Sequence, residues 1–138
     1  MYNNGSDGAV TGAWVDGIAD ALARGWNAVT FDGPGQNAAL VRQHLPFRPD
    51  WEKVITAVVD HLLTRPDVDA GKIALLGVSQ AGYWVPRSVA FEHRIAAAVA
   101  DPGVVDVSTT MTRQVPHSLA KMIGTGEQEK FDKDMDLR

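Results

Sequence analysis

Apolar and polar positions alternate along this chain in two rhythms, one of helices and one of buried strands. Residues 11–24, "TGAWVDGIADALAR", put Trp14, Ile18, Ala21 and Leu22 at helical spacing, and Gly25 follows as a stop. "WNAVTF" (26–31) is short, β-branched and aromatic, and the turn-rich "DGPGQN" closes it, which predicts a strand running into a loop. "AALVRQHLPFRPD" reads as irregular, with two prolines near its end. From Asp50 a strong helix is expected, since Trp51, Val54, Ile55, Val58, Val59 and Leu62 recur at three- and four-residue spacing before "RPDVDAG". "KIALLGV" (72–78) is continuously apolar, as a parallel strand covered on both faces should be. A helix over about 80–92 and a third strand, "RIAAAVAD" (94–101), complete the pattern. Strand, helix, strand, helix, strand predicts an α/β fold: a parallel sheet with flanking helices and right-handed crossovers. "HSLAKMIG" and "EQEKFDKDM" then read as short amphipathic helices with no further strand.

Composition narrows the function classes. The 138 residues suit one domain with an ordinary core, 45% hydrophobic and 22% charged. No apolar run approaches the roughly 20 residues that cross a bilayer, so no membrane role is expected. "MYNNGSDG" lacks the basic and apolar regions of a signal peptide, and the cytoplasm is the default location. A net charge of −4 without a basic cluster argues against nucleic acid as a partner. Without cysteine there is neither a disulfide framework nor a thiolate metal site, and no His/Asp/Glu set has ligand spacing. No metal and no cofactor are expected.

The segment that carries chemistry is "GVSQA", where a serine stands between the apolar strand and a helix. At the carboxyl end of a parallel strand, such a corner projects the Ser79 hydroxyl into the crevice where α/β proteins bind ligands. The backbone there is strained, and the residues two before and two after must be small for strand and helix to pass closely. Gly77 and Ala81 meet that need. The helix starting at Gln80 directs free N–H groups at the same point. The plainer reading is a strand-to-helix turn whose serine only caps the helix.

Three stretches, "NNGSDG" (3–8), "ARGWNAVTFDGPGQN" (23–37) and "DAGKIALLGVSQAGYWVPRSVAFEHRIAAAVADPG" (69–103), resemble the α/β-hydrolase superfamily. The similarity points to bacterial esterase and peptidase-like serine hydrolases related to dipeptidyl aminopeptidases and the dihydropseudooxynicotine hydrolase group. The resemblance implies that Ser79 is the nucleophile, that the Gln80 N–H is one oxyanion donor, and that the loop "NGSDG" supplies the other around Gly5 or Ser6. Such proteins carry glycine where this chain has Ala81, and often where it has Asn37; Asn37 is expected to crowd its loop. Residues 1–107 correspond to a partial hydrolase core, and 108–138 to the beginning of a helical cap. In these hydrolases the acid and then the histidine follow the serine on later strands. The chain thus resembles an internal fragment, with the strands before the oxyanion loop expected to be absent.

His44, His61 and His93 read as solvated or capping residues. His117 follows a plausible acid, Asp101 or Asp106, in the right order, which leaves Ser79–Asp101–His117 as a minor candidate triad; Asp101 otherwise reads as a turn residue. The expected partner is a small-molecule acyl substrate, with an uncharged acyl group suggested by Tyr83 and Trp84 unless these pack the helix onto the sheet. Exposed sheet edges are expected to favour a homo-oligomer. Two rivals stand beside a serine hydrolase. One is a catalytically inactive truncated hydrolase serving as a binding module. The other is a dinucleotide site at Gly33, Gly35 and Ala38, opposed by the prolines that follow.

Overall fold

The computed structural model describes residues 1–113 and 115–116. They form an all-parallel four-stranded sheet: β1 (Tyr2–Asn3), β2 (Thr30–Phe31), β3 (Ala74–Val78) and β4 (Ala97–Asp101), in the order β2-β1-β3-β4. β1 is a correction to the three strands expected from sequence. It has two residues, too few for any periodicity to register, yet it sits between β2 and β3, pairing Tyr2 with Thr30 and with Leu76. It leads directly into the loop at residues 4–8. The register of β3 and β4 runs from Ala74↔Ala97 to Val78↔Asp101, so both strands end level at Ser79 and Pro102.

The remaining elements are α1 (Ile18–Ala23), α2 (Asn37–Val41), α3 (Trp51–Leu63) and α4 (Ala81–Val89). The single helix expected over 11–24 is instead a 3₁₀ turn, Gly12–Trp14, followed by α1. Gly17 breaks it, at φ +147°. Trp14 and Leu22 remain exposed rather than forming a buried stripe. The strand expected over 26–31 contracts to its last two residues, and α2 forms in the segment read as irregular.

α3 follows its sequence pattern closely. Trp51, Ile55, Val59 and Leu62 are its buried residues, spaced three or four apart. It packs against α4, which lies on β3 and β4. The core joins Trp51, Ile55 and Val59 to Ile73 and Leu75 of the β3 segment and to Ala81, Trp84 and Val85 of α4. Trp84 stacks on Trp51 with ring centroids 3.9 Å apart. It is therefore a packing residue, and the sequence alternative of an acyl contact does not apply to it.

Residues Met1–Val105 form one compact unit, and Asp106 opens a second. In the second, α5 (Val107–Thr112) is capped by Asp106, whose carboxylate accepts bonds from the Ser108 N–H at 2.9 Å and from the Ser108 and Thr109 hydroxyls. These bonds lower the Asp106 pKa to about 2. The helices expected at "HSLAKMIG" and "EQEKFDKDM" lie outside the described residues. Among the described residues no helix is long and apolar enough to cross a membrane.

Candidate active site

β3 ends in a turn that only a tight set of residues can make. Ser79 sits at φ +61°, in the left-handed region that non-glycine residues rarely occupy. Three bonds hold it there. Its N–H donates to the Asp101 carbonyl at 2.7 Å, Gly82 N–H donates to the Ser79 carbonyl at 2.9 Å, and Tyr83 N–H donates to the Gln80 carbonyl at 3.0 Å. The smallness expected two residues either side has a direct cause. A methyl on Gly77 would lie 2.5 Å from Val85 Cγ2 and 2.7 Å from the Ala81 carbonyl oxygen, and Ala81 itself is fully buried. Gly82 is pressed just as closely onto the Pro102 carbonyl at the end of β4. The hydroxyl-bearing residue is nevertheless exposed.

The loop from β1 comes directly to this serine. A methyl on Gly5 would lie 2.6 Å from Ser79 Cβ and 2.9 Å from Oγ, so glycine is required for the two turns to meet. Among the described residues, the N–H groups of Gly5, Ser6 and Gln80 donate to no backbone or side-chain acceptor. Gly5 thus meets Ser79, and these N–H groups of the two turns are left without acceptors among the described residues.

Behind the loop lies a buried neutral network that sequence reading did not find. Gln36, fully buried, donates from Nε2 to the Asn4 carbonyl at 2.9 Å and the Gly5 carbonyl at 2.6 Å, and its Oε1 accepts the Gly33 N–H at 2.7 Å. Asn3 Nδ2 also donates to the Asn4 carbonyl, at 3.1 Å, while Asn3 Oδ1 accepts Trp51 Nε1–H at 2.8 Å. The only available signal was a pair of amide residues at the end of a strand and a glutamine after "GPG", a pattern without periodicity. Asn4 Nδ2 is buried and has no partner among the described residues.

Asn37 does not crowd its loop. It adopts φ +34°, a region asparagine tolerates better than most residues, and its Nδ2 donates to the Gly8 carbonyl and to Asp32 Oδ1. The space over Gly33 and Gly35 is occupied by the rings of Trp51 and Phe47, so these glycines make room for aromatic packing.

Of the other candidates, Asp101 meets Ser79 through its backbone carbonyl while its residue stays exposed. His44, His61 and His93 are exposed, and none hydrogen-bonds Ser79. His117 lies outside the described residues. Among the described residues, no group of three His, Cys, Asp or Glu side chains is arranged to hold a metal ion.

Comparison with known proteins adds an independent line. "Hydrolase LUC6" of Fusarium sp is 34% identical over 120 residues, covering 84% of this chain and 28% of the relative. "Alpha/beta hydrolase psoB" of Aspergillus fumigatus is 40% identical over 101 residues, 69% of this chain and 22% of the relative. "Hydrolase acrC" of Aspergillus aculeatus is 34% identical over 120 residues, with coverage of 84% and 28%. The chain spans about a quarter of the length of these curated relatives. No family model matches the chain, and no solved structure matches it.

Proposed function

This chain is related to the α/β hydrolases, and from that premise we propose that Ser79 is the nucleophile of a hydrolase acting on carboxylic esters or related small acyl compounds. The observation that carries the reading is the strained Ser79 at φ +61° between β3 and α4, with Gly5 against its hydroxyl. Ser79 Oγ attacks the acyl carbonyl. The negative charge that develops on the carbonyl oxygen is met by the Gln80 N–H and by the Gly5 or Ser6 N–H, which need no reorganisation. The acyl group passes to Ser79, the alcohol leaves, and water releases the acid. A hydroxyl becomes an efficient nucleophile only when a base takes its proton and a third group orients that base. Asp101 and His117 remain the in-order candidates within this chain for acid and base; His44, His61 and His93 are not.

The test is covalent labelling of the natural protein that carries this chain. A fluorophosphonate should modify Ser79, and Ser79→Ala should lose both labelling and ester turnover. Labelling or turnover that survives Ser79→Ala would overturn the assignment, and a wild type that neither labels nor turns over ester would favour the binding-module alternative.

A further inference from the structure

We infer that Gln36 is a positioning residue: its buried side-chain amide turns the Gly5 and Ser6 N–H groups toward the Ser79 hydroxyl by holding their peptide carbonyls from behind. This rests on the hydrolase reading of Ser79 and deepens it.

Gln36 Nε2 has two hydrogens, and it donates to two successive carbonyls, those of Asn4 and Gly5. Each carbonyl shares a planar trans peptide with the next residue's N–H, and the two point in opposite directions. Fixing the Asn4 carbonyl therefore fixes the Gly5 N–H, and fixing the Gly5 carbonyl fixes the Ser6 N–H. Both N–H groups face away from Gln36, and neither is consumed by an acceptor among the described residues. Ser79 adjoins the same residue: its Cβ and Oγ lie 2.6 and 2.9 Å from a methyl placed on Gly5.

Gln36 can act as a fixed jig because it is itself fixed. It is fully buried, and its Oε1 accepts the Gly33 N–H, which leaves a single sensible orientation for the amide. Its own N–H donates to the Gly33 carbonyl at 3.0 Å, locking the residue into the turn. The Asn4 carbonyl accepts a second bond from Asn3, so both of its lone pairs are occupied. A carbonyl that accepts hydrogen bonds polarises its amide, and the attached N–H becomes a stronger donor. Gln36 thus serves both aim and strength. No other side chain among the described residues bonds the Asn4 or Gly5 carbonyl, apart from Asn3.

Gln36→Glu keeps the shape and replaces the doubly donating Nε2 with an oxygen that repels the two carbonyls. In the natural protein we expect kcat to fall about 10²-fold, as loss of an oxyanion donor typically does, while KM changes less than about threefold; the buried carboxyl also lowers the thermal midpoint, so both are measured at a temperature where the variant is fully folded. Affinity for a boronic acid, which forms a tetrahedral adduct on serine, should fall in parallel with kcat. The variant-to-wild-type ratio of kcat should recover as the pH is lowered, because the introduced carboxyl donates once more when protonated. A kcat within about threefold of wild type, or a loss that tracks only the unfolded fraction, would overturn the inference. If Gln36→Glu does not fold, the wild type decides: on binding phenylboronic acid, the amide proton of Gly5 or Ser6 should shift downfield, and unmoved resonances at both overturn it. A wild type that forms no adduct at Ser79 sinks the hydrolase reading and this one with it. An adduct at Ser79, together with wild-type kinetics in Gln36→Glu, sinks this one alone.

Discussion

Two networks brace the sheet, one behind the loop that meets Ser79 and one at the entry to β4, and they are built from different chemistry. On the β1 side every member is neutral: Trp51, Asn3 and Gln36 are fully buried and bond to one another or to the backbone of residues 4, 5 and 33. On the β4 side the members are ions. Glu92, on the segment entering β4, receives bonds from Arg94 and from the Thr56 hydroxyl of α3, and Arg94 reaches on to Asp60. The strands differ in the opposite sense to their lengths. β1 has two residues, both buried, whereas β4 has five, and Val99 at its middle is 56% exposed. Position in the sheet accounts for this. A central strand is covered by its neighbours, and an edge strand is not. The difference teaches that the loop facing Ser79 is held by bonds that do not titrate, while β4 is tethered by bonds that do.

The largest expected break falls on the neutral side. Trp51→Ala removes a fully buried ring, its stack on Trp84 and, among the described residues, the only donor to Asn3 Oδ1. It should cost about 3–5 kcal/mol in denaturant unfolding. Trp51→Phe keeps the ring and loses the N–H, and should cost about 1–3 kcal/mol. Equal losses for the two variants would mean that the hydrogen bond, not the packing, dominates.

Acid should act next, and on the other flank. Arg94, chiefly, holds the Glu92 carboxyl down to about 2, against an ordinary value of 4.5, with Thr56 assisting and burial opposing. A folded pKa below the unfolded one stabilises the fold above the unfolded value, and that stability is lost as pH falls from about 4.5 toward about 2. Because Arg94 is 40% exposed and screened by solvent, the loss should be on the order of 1–2 kcal/mol rather than the full value of the shift. Glu92→Gln should flatten this part of the pH–stability curve. Hydrogen exchange should show β4 loosening before the residue 3–5 loop; the reverse order would contradict the contrast between the networks.

The smallest effect belongs to the exposed edge. Val99→Thr should change stability by no more than about 0.5 kcal/mol, as surface substitutions usually do. A loss above about 1 kcal/mol would show that β4 is covered in solution.

Periodicity and turn chemistry made part of this protein legible in its sequence. α3 could be read from its apolar spacing, and β3 from its unbroken apolar run, because burial on one face or on both leaves a repeating mark. The turn at Ser79 was readable from Gly77, Ser79 and Ala81, since steric demands at a strand-to-helix corner are local. β1 was not readable, because two residues carry no period. Nor was the role of Gln36, Asn3 and Trp51, whose bonds join positions 31 to 48 residues apart.

Local sequence therefore determined where the chain turns, which helix face is apolar and where a strained serine stands. Tertiary structure alone decided that a two-residue strand lies at the centre of the sheet and that Gly5 meets Ser79. It also decided that one buried glutamine amide holds the loop between them. Satisfying a buried carbonyl requires a donor at about 3 Å from whatever part of the chain the fold delivers, and no local pattern records which part that will be.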